Sequence, residues 1–352
     1  MQPSLLKLLV DPLDKTALTC TATSSYHGAI IEGALQTGRG QSYPVTNAIP
    51  RFVLTQDQGQ QQTEQSFGYK WQQEQSYASP TSMTFYRQWL VQRYGFTDLA
   101  AMQAHFYRHE RILDAGCGGG YSTSVWLNAG WVEGSRGDWI GVDISEAIDV
   151  AQKRFEGLPR THFIQADLLH LPFPERTFDL IFSEGVLHHT PSTERALKTV
   201  AALLTEGGEL MFYVYRKKGP IREFTDDYIR DRIANLPPQD AWQLLEPLTK
   251  LGQALADLKA EVEVPADIPY LGIKAGRYDV QRLIYWHVMK LFWNDAYRFE
   301  ENHHINFDWY HPRYAHRQTE EEVRRWCAEA NLRIFHFDAQ ESGYTVRAIR
   351  EG

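Results

Sequence analysis

The stretch "LDAGCGGGY" sets Asp114 just ahead of glycines at 116, 118, 119 and 120. Glycines so closely spaced leave the main chain bare, so a ligand can come close to backbone N–H groups. The dinucleotide pattern G-x-G-x-x-G, counted from Gly116, needs a glycine where Tyr121 stands; counted from Gly118, it needs one where Thr123 stands. A phosphate loop ends in Gly-Lys-Ser/Thr, and that ending is missing. A carboxylate beside the loop repels pyrophosphate and attracts a cation.

Two more acids follow. Asp143 closes the apolar run of "GVDIS", and Asp167 closes that of "FIQADLLHLPF". Three acids at successive strand ends suit S-adenosylmethionine, which carries a sulfonium and an α-ammonium but no phosphate. Asp143 stands where a carboxylate grips ribose hydroxyls. Asp167 can accept from an adenine amino group while Leu168 packs on the ring. Methyl transfer from a sulfonium needs an acceptor held in line and water kept out. A general base is needed only where the acceptor must lose a proton. His188, in "GVLHHTP" with His189, is the candidate base, set against a role in packing the loop. No ligand set at metal spacing surrounds the two histidines, so no metal is expected. Cys117 reads as a small packed residue rather than a nucleophile.

The elements that must position these groups alternate. Strands read in "RILDAG", "DWIGVDIS", "THFIQAD", "FDLIFSEG" and "GGELMFYVYR". Helices read between them in "YSTSVWLNAG", stopped by Gly130, in "EAIDVAQKRF" and in "TERALKTVAALL". Strand–helix alternation at this spacing predicts a parallel sheet covered on both faces. Thr319 followed by Glu322 predicts a capping box, and the last two apolar runs, joined by a short polar turn, must pair antiparallel.

The region from Arg111 to Arg216, with the C-terminal hairpin, resembles the class I S-adenosylmethionine-dependent methyltransferases. The residues that carry it are "LDAGCGGG", "GVDIS", "ADLLHLPF", "FDLIFSEGVLHHT", "LLTEGGELMF" and the final "YTVRAIR". The resemblance implies an α/β, Rossmann-like sheet ending in that hairpin, and S-adenosylmethionine as cofactor. It implies a cofactor site of Asp114, Ala115, Gly116, Gly118 and Gly120 on the first turn, and Asp143 with Ile144 on the second. Ala166, Asp167, Leu168, Ser183 and Glu184 complete it.

Around this core, residues 1–54 read as a small β-rich domain and residues 55–110 as a linker, "TQDQGQQQTEQ", with a helical cap. Residues 111–215 are the cofactor-binding core, 216–318 a helical insertion on the acceptor side, and 319–352 a closing helix and hairpin. One clear helix is expected over "YDVQRLIYWHVMKLFWNDAYRF". Phe67, Tyr69 and Trp71 are lid candidates. Tyr215, Lys217, Arg222, Tyr310, Arg313 and His316 are candidates to grip an anionic acceptor. The N-terminal segment also resembles the zinc-ribbon activators of methyltransferases, with Asp11, Asp14, Thr37 and Gly40 where four cysteines would stand. A ribbon-like fold without zinc is expected there.

The chain has 352 residues, a net charge of −8 with no basic block, and three scattered cysteines. That balance counts against nucleic acid, and the odd, dispersed cysteines suit a reducing cytoplasm. No apolar run reaches the length of a membrane helix. The expected partner is a small-molecule acceptor, with homodimerisation left open. Rival readings are a protein or tRNA methyltransferase, a non-catalytic cofactor-binding subunit, and an NAD-dependent oxidoreductase.

Overall fold

A computed structural model describes residues 1–54, 57–73, 76–77 and 79–352. Among the described residues one sheet holds eleven strands. The chain opens with a short helix, α1 (Pro3–Leu6), and an antiparallel meander, β1 (Thr19–Tyr26), β2 (Ala29–Gln36), β3 (Ser42–Thr46) and β4 (Ile49–Phe52). Helices α2 (Gln58–Gln72), α3 (Pro80–Arg93) and α4 (Leu99–Tyr107) follow. The parallel core is β5 (Arg111–Ala115), α5 (Ala129–Gly134), β6 (Asp138–Asp143), α6 (Ala147–Arg154), β7 (Thr161–Ala166), β8 (Phe178–Glu184), α7 (Thr193–Ala202) and β9 (Leu204–Tyr215). Next come α8 (Pro220–Ile233), α9 (Pro238–Asp257), the hairpin β10 (Glu261–Val264) and β11 (Gly276–Asp279), α10 (Val280–His287) and α11 (Phe299–Tyr310). Helix α12 (Glu320–Glu329), β12 (Leu332–Ala339) and β13 (Gly343–Arg350) close the chain.

The strand order is β1-β2-β3-β4-β7-β6-β5-β8-β9-β13-β12. Strands β7, β6, β5, β8 and β9 run parallel. After β5 the chain builds outward on one side through β6 and β7, then crosses to β8 and β9. Order reverses beside β5, and ligands bind outside the carboxyl ends of strands at such a switch point. The parallel strands are apolar through their centres because helices cover both faces. Ile112, Leu113, Ile140, Val142, Leu180 and Ile181 are all fully buried. The α/β sheet and its terminal antiparallel hairpin are as expected: β13 lies between β9 and β12 and opposes both. The capping box on α12 also forms, with the Glu322 N–H donating to Thr319 Oγ1 and the Thr319 N–H to Glu322 Oε2.

Residues 1–54 pack into the same core as the parallel strands, through Leu5, Leu35, Tyr43, Val45 and Phe52. Strand β4 pairs parallel with β7, and Arg51 reaches both Asp149, at 2.8 Å, and Gln165. At the four positions matched to zinc cysteines, hydrogen bonds bind the turns. Tyr43 Oη donates to Asp11 Oδ2 at 2.8 Å, the Gln41 N–H donates to Thr37 Oγ1, and Arg39 meets Asp14 at 3.2 Å.

Four expectations are corrected. Of the predicted linker, Thr55 and Gln56 lie outside the described residues, but Gln58 onward is helical. Asp57 caps it, accepting from the Gln60 N–H, and its buried face is polar: Gln60, Thr63, Ser66 and Lys70. An apolar-periodicity reading is blind to such a helix. "YSTSVWLNAG" is not one helix. Thr123 Oγ1 donates to Asp114, Trp126 stacks on Phe106 at 3.9 Å, and Asn128 starts α5 by accepting from the Gly130 N–H. Gly130 thus lies inside a helix rather than ending one. The long helix expected from Tyr278 ends at His287. Beyond it, Asn306 Oδ1 accepts from the Phe292 N–H, Asn302 Oδ1 from the Asn294 N–H, and Gln281 donates to the Leu291 carbonyl. Side-chain amides thus satisfy backbone groups that a helix would have paired. The insertion also carries the hairpin β10–β11, absent from the helical reading.

Phe52 is fully buried where β4 meets β7. Phe52→Ala is expected to destabilise the whole chain by about 3–5 kcal/mol in urea denaturation, in one cooperative transition.

Candidate functional site

A cavity of about 630 Å³ opens at the carboxyl ends of β5, β6, β7 and β8. Gly116 and Gly118, Asp143 with Ile144, Asp167 with Leu168, and Glu184 line it from the sheet. Helices α2 and α3 contribute Phe67, Lys70, Trp71, Tyr86 and Trp89. The insertion closes the far side with Tyr285, Trp286, Lys290, Phe292, His304 and Asp308.

The glycine turn is tightly fitted. Gly116 has φ +89° and Gly118 φ +52°, in the left-handed region where a Cβ is strained. A Cβ on Gly116 would strike Val186, and one on Gly118 would lie 2.7 Å from the Trp71 indole. The Gly118 N–H donates to Asp143 Oδ2 at 2.8 Å, while Ser145 Oγ and N–H donate to Oδ1. Asp114 is buried behind the turn, bound by Thr123. Burial drives its carboxyl up to about 7, opposed by the Thr123 hydrogen bond and reinforced by the charges of Asp143 and Glu184. Burial raises Asp143 as well. The strand ends therefore gather three buried acids, two of which burial pushes toward protonation.

Ala115, Gly120, Ala166 and Ser183, also in the expected cofactor set, support the turn without lining the cavity. Ser183 Oγ donates to the Ala115 carbonyl at 2.8 Å. Ala115 and Ala166 are fully buried strand residues, and a Cβ on Gly120 would meet Phe155. Glu184 is tethered from behind by the Arg93 guanidinium and by Tyr94 Oη at 2.7 Å. Arg93 is itself clasped between Trp89, 3.4 Å from its ring centroid, and Tyr213.

The two histidines separate. His188 is fully buried, 3.8 Å between ring centroids from Tyr215, and does not line the cavity. Of the two roles weighed for His188, general base and packing residue, its position is that of a packed ring, because the turn after β8 directs it onto β9. His189 lines the cavity instead. Its Nδ1–H donates to the Tyr314 carbonyl at 2.6 Å, and burial lowers its pKa to about 4, leaving it neutral near pH 7.

Of the acceptor candidates, only Tyr215 lines this cavity. Arg222 is buried in an i,i+4 ion pair with Asp226, and Tyr310 donates to the same carboxylate at 2.8 Å, so both hold the insertion together. Lys217, Arg313 and His316 line a separate cavity of about 490 Å³, where Arg317 already engages Glu223 and Asp227. Sequence reasoning missed the polar group that does face the acceptor side. Lys70 meets Asp308 at 2.6 Å, and Tyr215 Oη donates to the other Asp308 oxygen at 3.2 Å. Asp308 is held far below the usual carboxylate range despite its burial, chiefly by the Lys70 charge. Beside them Lys290 is only 8% exposed, its Nζ 4.7 Å from the Trp309 ring centroid. Burial is the main force lowering its pKa, to about 7. The signal was one charge inside the apolar run "YWHVMKLFW".

Residues 113–212 match the family model described as a methyltransferase domain. The matched segment runs from β5 into β9 and contains the carboxyl ends of β5, β6, β7 and β8 that line the cavity. A phthiotriol/phenolphthiotriol dimycocerosates methyltransferase of Mycobacterium leprae is 27% identical over 165 residues, 46% of this chain and 59% of that protein. A demethylmenaquinone methyltransferase of Symbiobacterium thermophilum is 34% identical over 113 residues, 31% of this chain and 44% of that protein. The chain thus spans less than two thirds of the length of either relative. The N-methyltransferase NodS of Bradyrhizobium japonicum, solved with S-adenosyl-L-homocysteine, aligns with 83% of this chain and 100% of its own at 14% identity and a TM-score of 0.43.

A cationic ligand favours ionised Asp114. Affinity for S-adenosylmethionine is expected to fall by up to about tenfold per pH unit below pH 7 and to level off above it. Calorimetry across that range should show proton release on binding, and Asp114→Asn should flatten the dependence.

Proposed function

We propose that the chain is a class I methyltransferase that uses S-adenosylmethionine to methylate a small or medium-sized acceptor bearing an aromatic or apolar body and an acidic group. The observation that carries this reading is the polarity of one cavity. Acids at the strand ends form one side, and the Lys290 amine with the Lys70–Asp308 pair stands on the insertion side.

The residues fit the cofactor. Bare glycines at 116 and 118 let its chain approach the backbone, and Asp143 and Asp167 stand at the second and third strand ends for the ribose and the adenine. When bound, the cofactor supplies an electrophilic methyl group on a sulfonium. The buried acids Asp114, Asp143 and Glu184 favour that positive charge. Phe67, Trp71 and Tyr86 wall the space between cofactor and acceptor sides and exclude water. Among the described residues the Lys290 ammonium meets the Trp309 ring but no carboxylate within ion-pair distance, and an acceptor anion would provide that partner.

Two measurements test this. S-adenosylhomocysteine is expected to raise the melting temperature where NAD leaves it unchanged; the reverse would replace the reading with a dinucleotide enzyme. With labelled methyl donor and a panel of aromatic acids paired with their neutral amides, turnover is expected to favour the acids. Lys290→Met should weaken acid binding by about 10- to 100-fold while sparing the amides. Affinity for the acids should also weaken as pH rises through about 7, as the ammonium is lost. Equal use of acids and amides would exclude the anionic acceptor.

A further inference from the structure

At the amino-terminal end of the parallel strands, remote from the cavity, a nitrogen of His105, a nitrogen of His109 and a carboxylate oxygen of Glu209 all lie within 4.8 Å of one another. His105 lies in the last turn of α4 and His109 just beyond its end, and the turn brings their ring centroids to 5.1 Å. Glu209 faces them from β9. The site is built rather than superficial: His105 is 6% exposed and Glu209 5%.

The polar atoms here are poorly satisfied. The Nε2 atoms of His105 and His109 are both buried without a hydrogen-bond partner. His105 Nε2 lies 3.2 Å from Glu209 Oε2, but not in hydrogen-bonding alignment. Buried polar groups are seldom left so, and an ion is one of the few things that satisfies several at once. Outer partners already orient the ligands. Asp179 Oδ2 lies 3.2 Å from His109 Nδ1, which directs a lone pair to Nε2. Arg347 holds Glu209 Oε1 at 2.7 Å, leaving Oε2 toward the histidines. Carboxylate–histidine pairing of this kind fixes tautomer and ring orientation in metal sites.

We infer that His105, His109 and Glu209 form a binding site for one divalent transition-metal ion of the zinc class, clamping α4 to the start of β9. Two imidazoles and a carboxylate suit zinc, with water completing a tetrahedron. Ligand separations of up to 4.8 Å close toward those of a bound ion by small side-chain rotations. The ligands lie at the amino ends of β5 and β8, where Asp179 accepts from the Arg111 N–H, whereas the cavity lies at the carboxyl ends. The ion therefore lies at the opposite end of the strands from the acceptor and does not touch it.

The test uses the full chain, stripped with chelator and titrated with zinc against a competing indicator dye, then with cobalt for its visible spectrum. One equivalent of zinc per chain is expected, with tetrahedral cobalt absorption and a higher melting temperature. His105→Ala and His109→Ala should each weaken binding by more than the about 10- to 100-fold contributed by outer partners. His109 is partly exposed, so its replacement leaves the fold intact, and folding is checked by the melt with S-adenosylhomocysteine. Absence of stoichiometric zinc, or binding that survives both substitutions, overturns the inference. Neither result bears on the cavity, whose cofactor response is read separately.

Discussion

Negative charge buried at the carboxyl ends of parallel strands is the condition around which this molecule is arranged. A carboxylate removed from water must be paired, hydrogen-bonded or protonated. Each acid here takes a different course. Asp143 accepts from a backbone N–H of the glycine turn and from Ser145, while Glu184 is held by Arg93 and Tyr94. Asp114, buried and with two acids nearby, is driven toward protonation although Thr123 donates to it. The turn, the helix-borne arginine and the aromatic clasp around that arginine can all be understood as responses to this charge. A cationic ligand relieves what remains.

The helical segments before and after the core act from the opposite side. Helix α2 brings Trp71 over Gly118 and Lys70 to Asp308, and so ties the glycine turn to α11 of the insertion. The insertion supplies its own internal scaffold, in which Asp226 gathers Arg222, Trp309 and Tyr310. Breaking such a buried cluster by removing one member costs more than the cluster contributes net, because a charge is left unpaired. Arg222, which looks like a binding group in the sequence, is therefore committed to structure, whereas the buried Lys290 ammonium faces the cavity.

Legibility followed the physical signal. The strands from Arg111 to Tyr215 could be read because burial on both faces forces continuous apolar runs, and their terminal acids because a carboxylate after such a run stands out. The capping box at Thr319 is a local signature and was equally clear. Helix α2 was hidden, since its buried face is made of Gln, Thr, Ser and Lys. The break after His287 was hidden because its cause lies in Asn302 and Asn306, outside the segment. The same limit applied to the acceptor side. That Arg222 belongs with Asp226 follows from helix spacing, but that Lys290 belongs with Asp308 and Lys70 depends on three elements distant in the chain.

Strand β4 carries a further implication for how the molecule assembles. Its partner in the sheet is β7, and Arg51 finds Gln165 only 114 residues later. On the ribosome the N-terminal meander is complete long before the edge it must join exists. Its three hairpins can form locally, yet Tyr43, Val45 and Phe52 have no core to enter until the third parallel strand has emerged. Such long-range pairing slows folding and leaves an apolar edge open during synthesis. The meander is thus the first part of the sheet to be made and among the last to become secure.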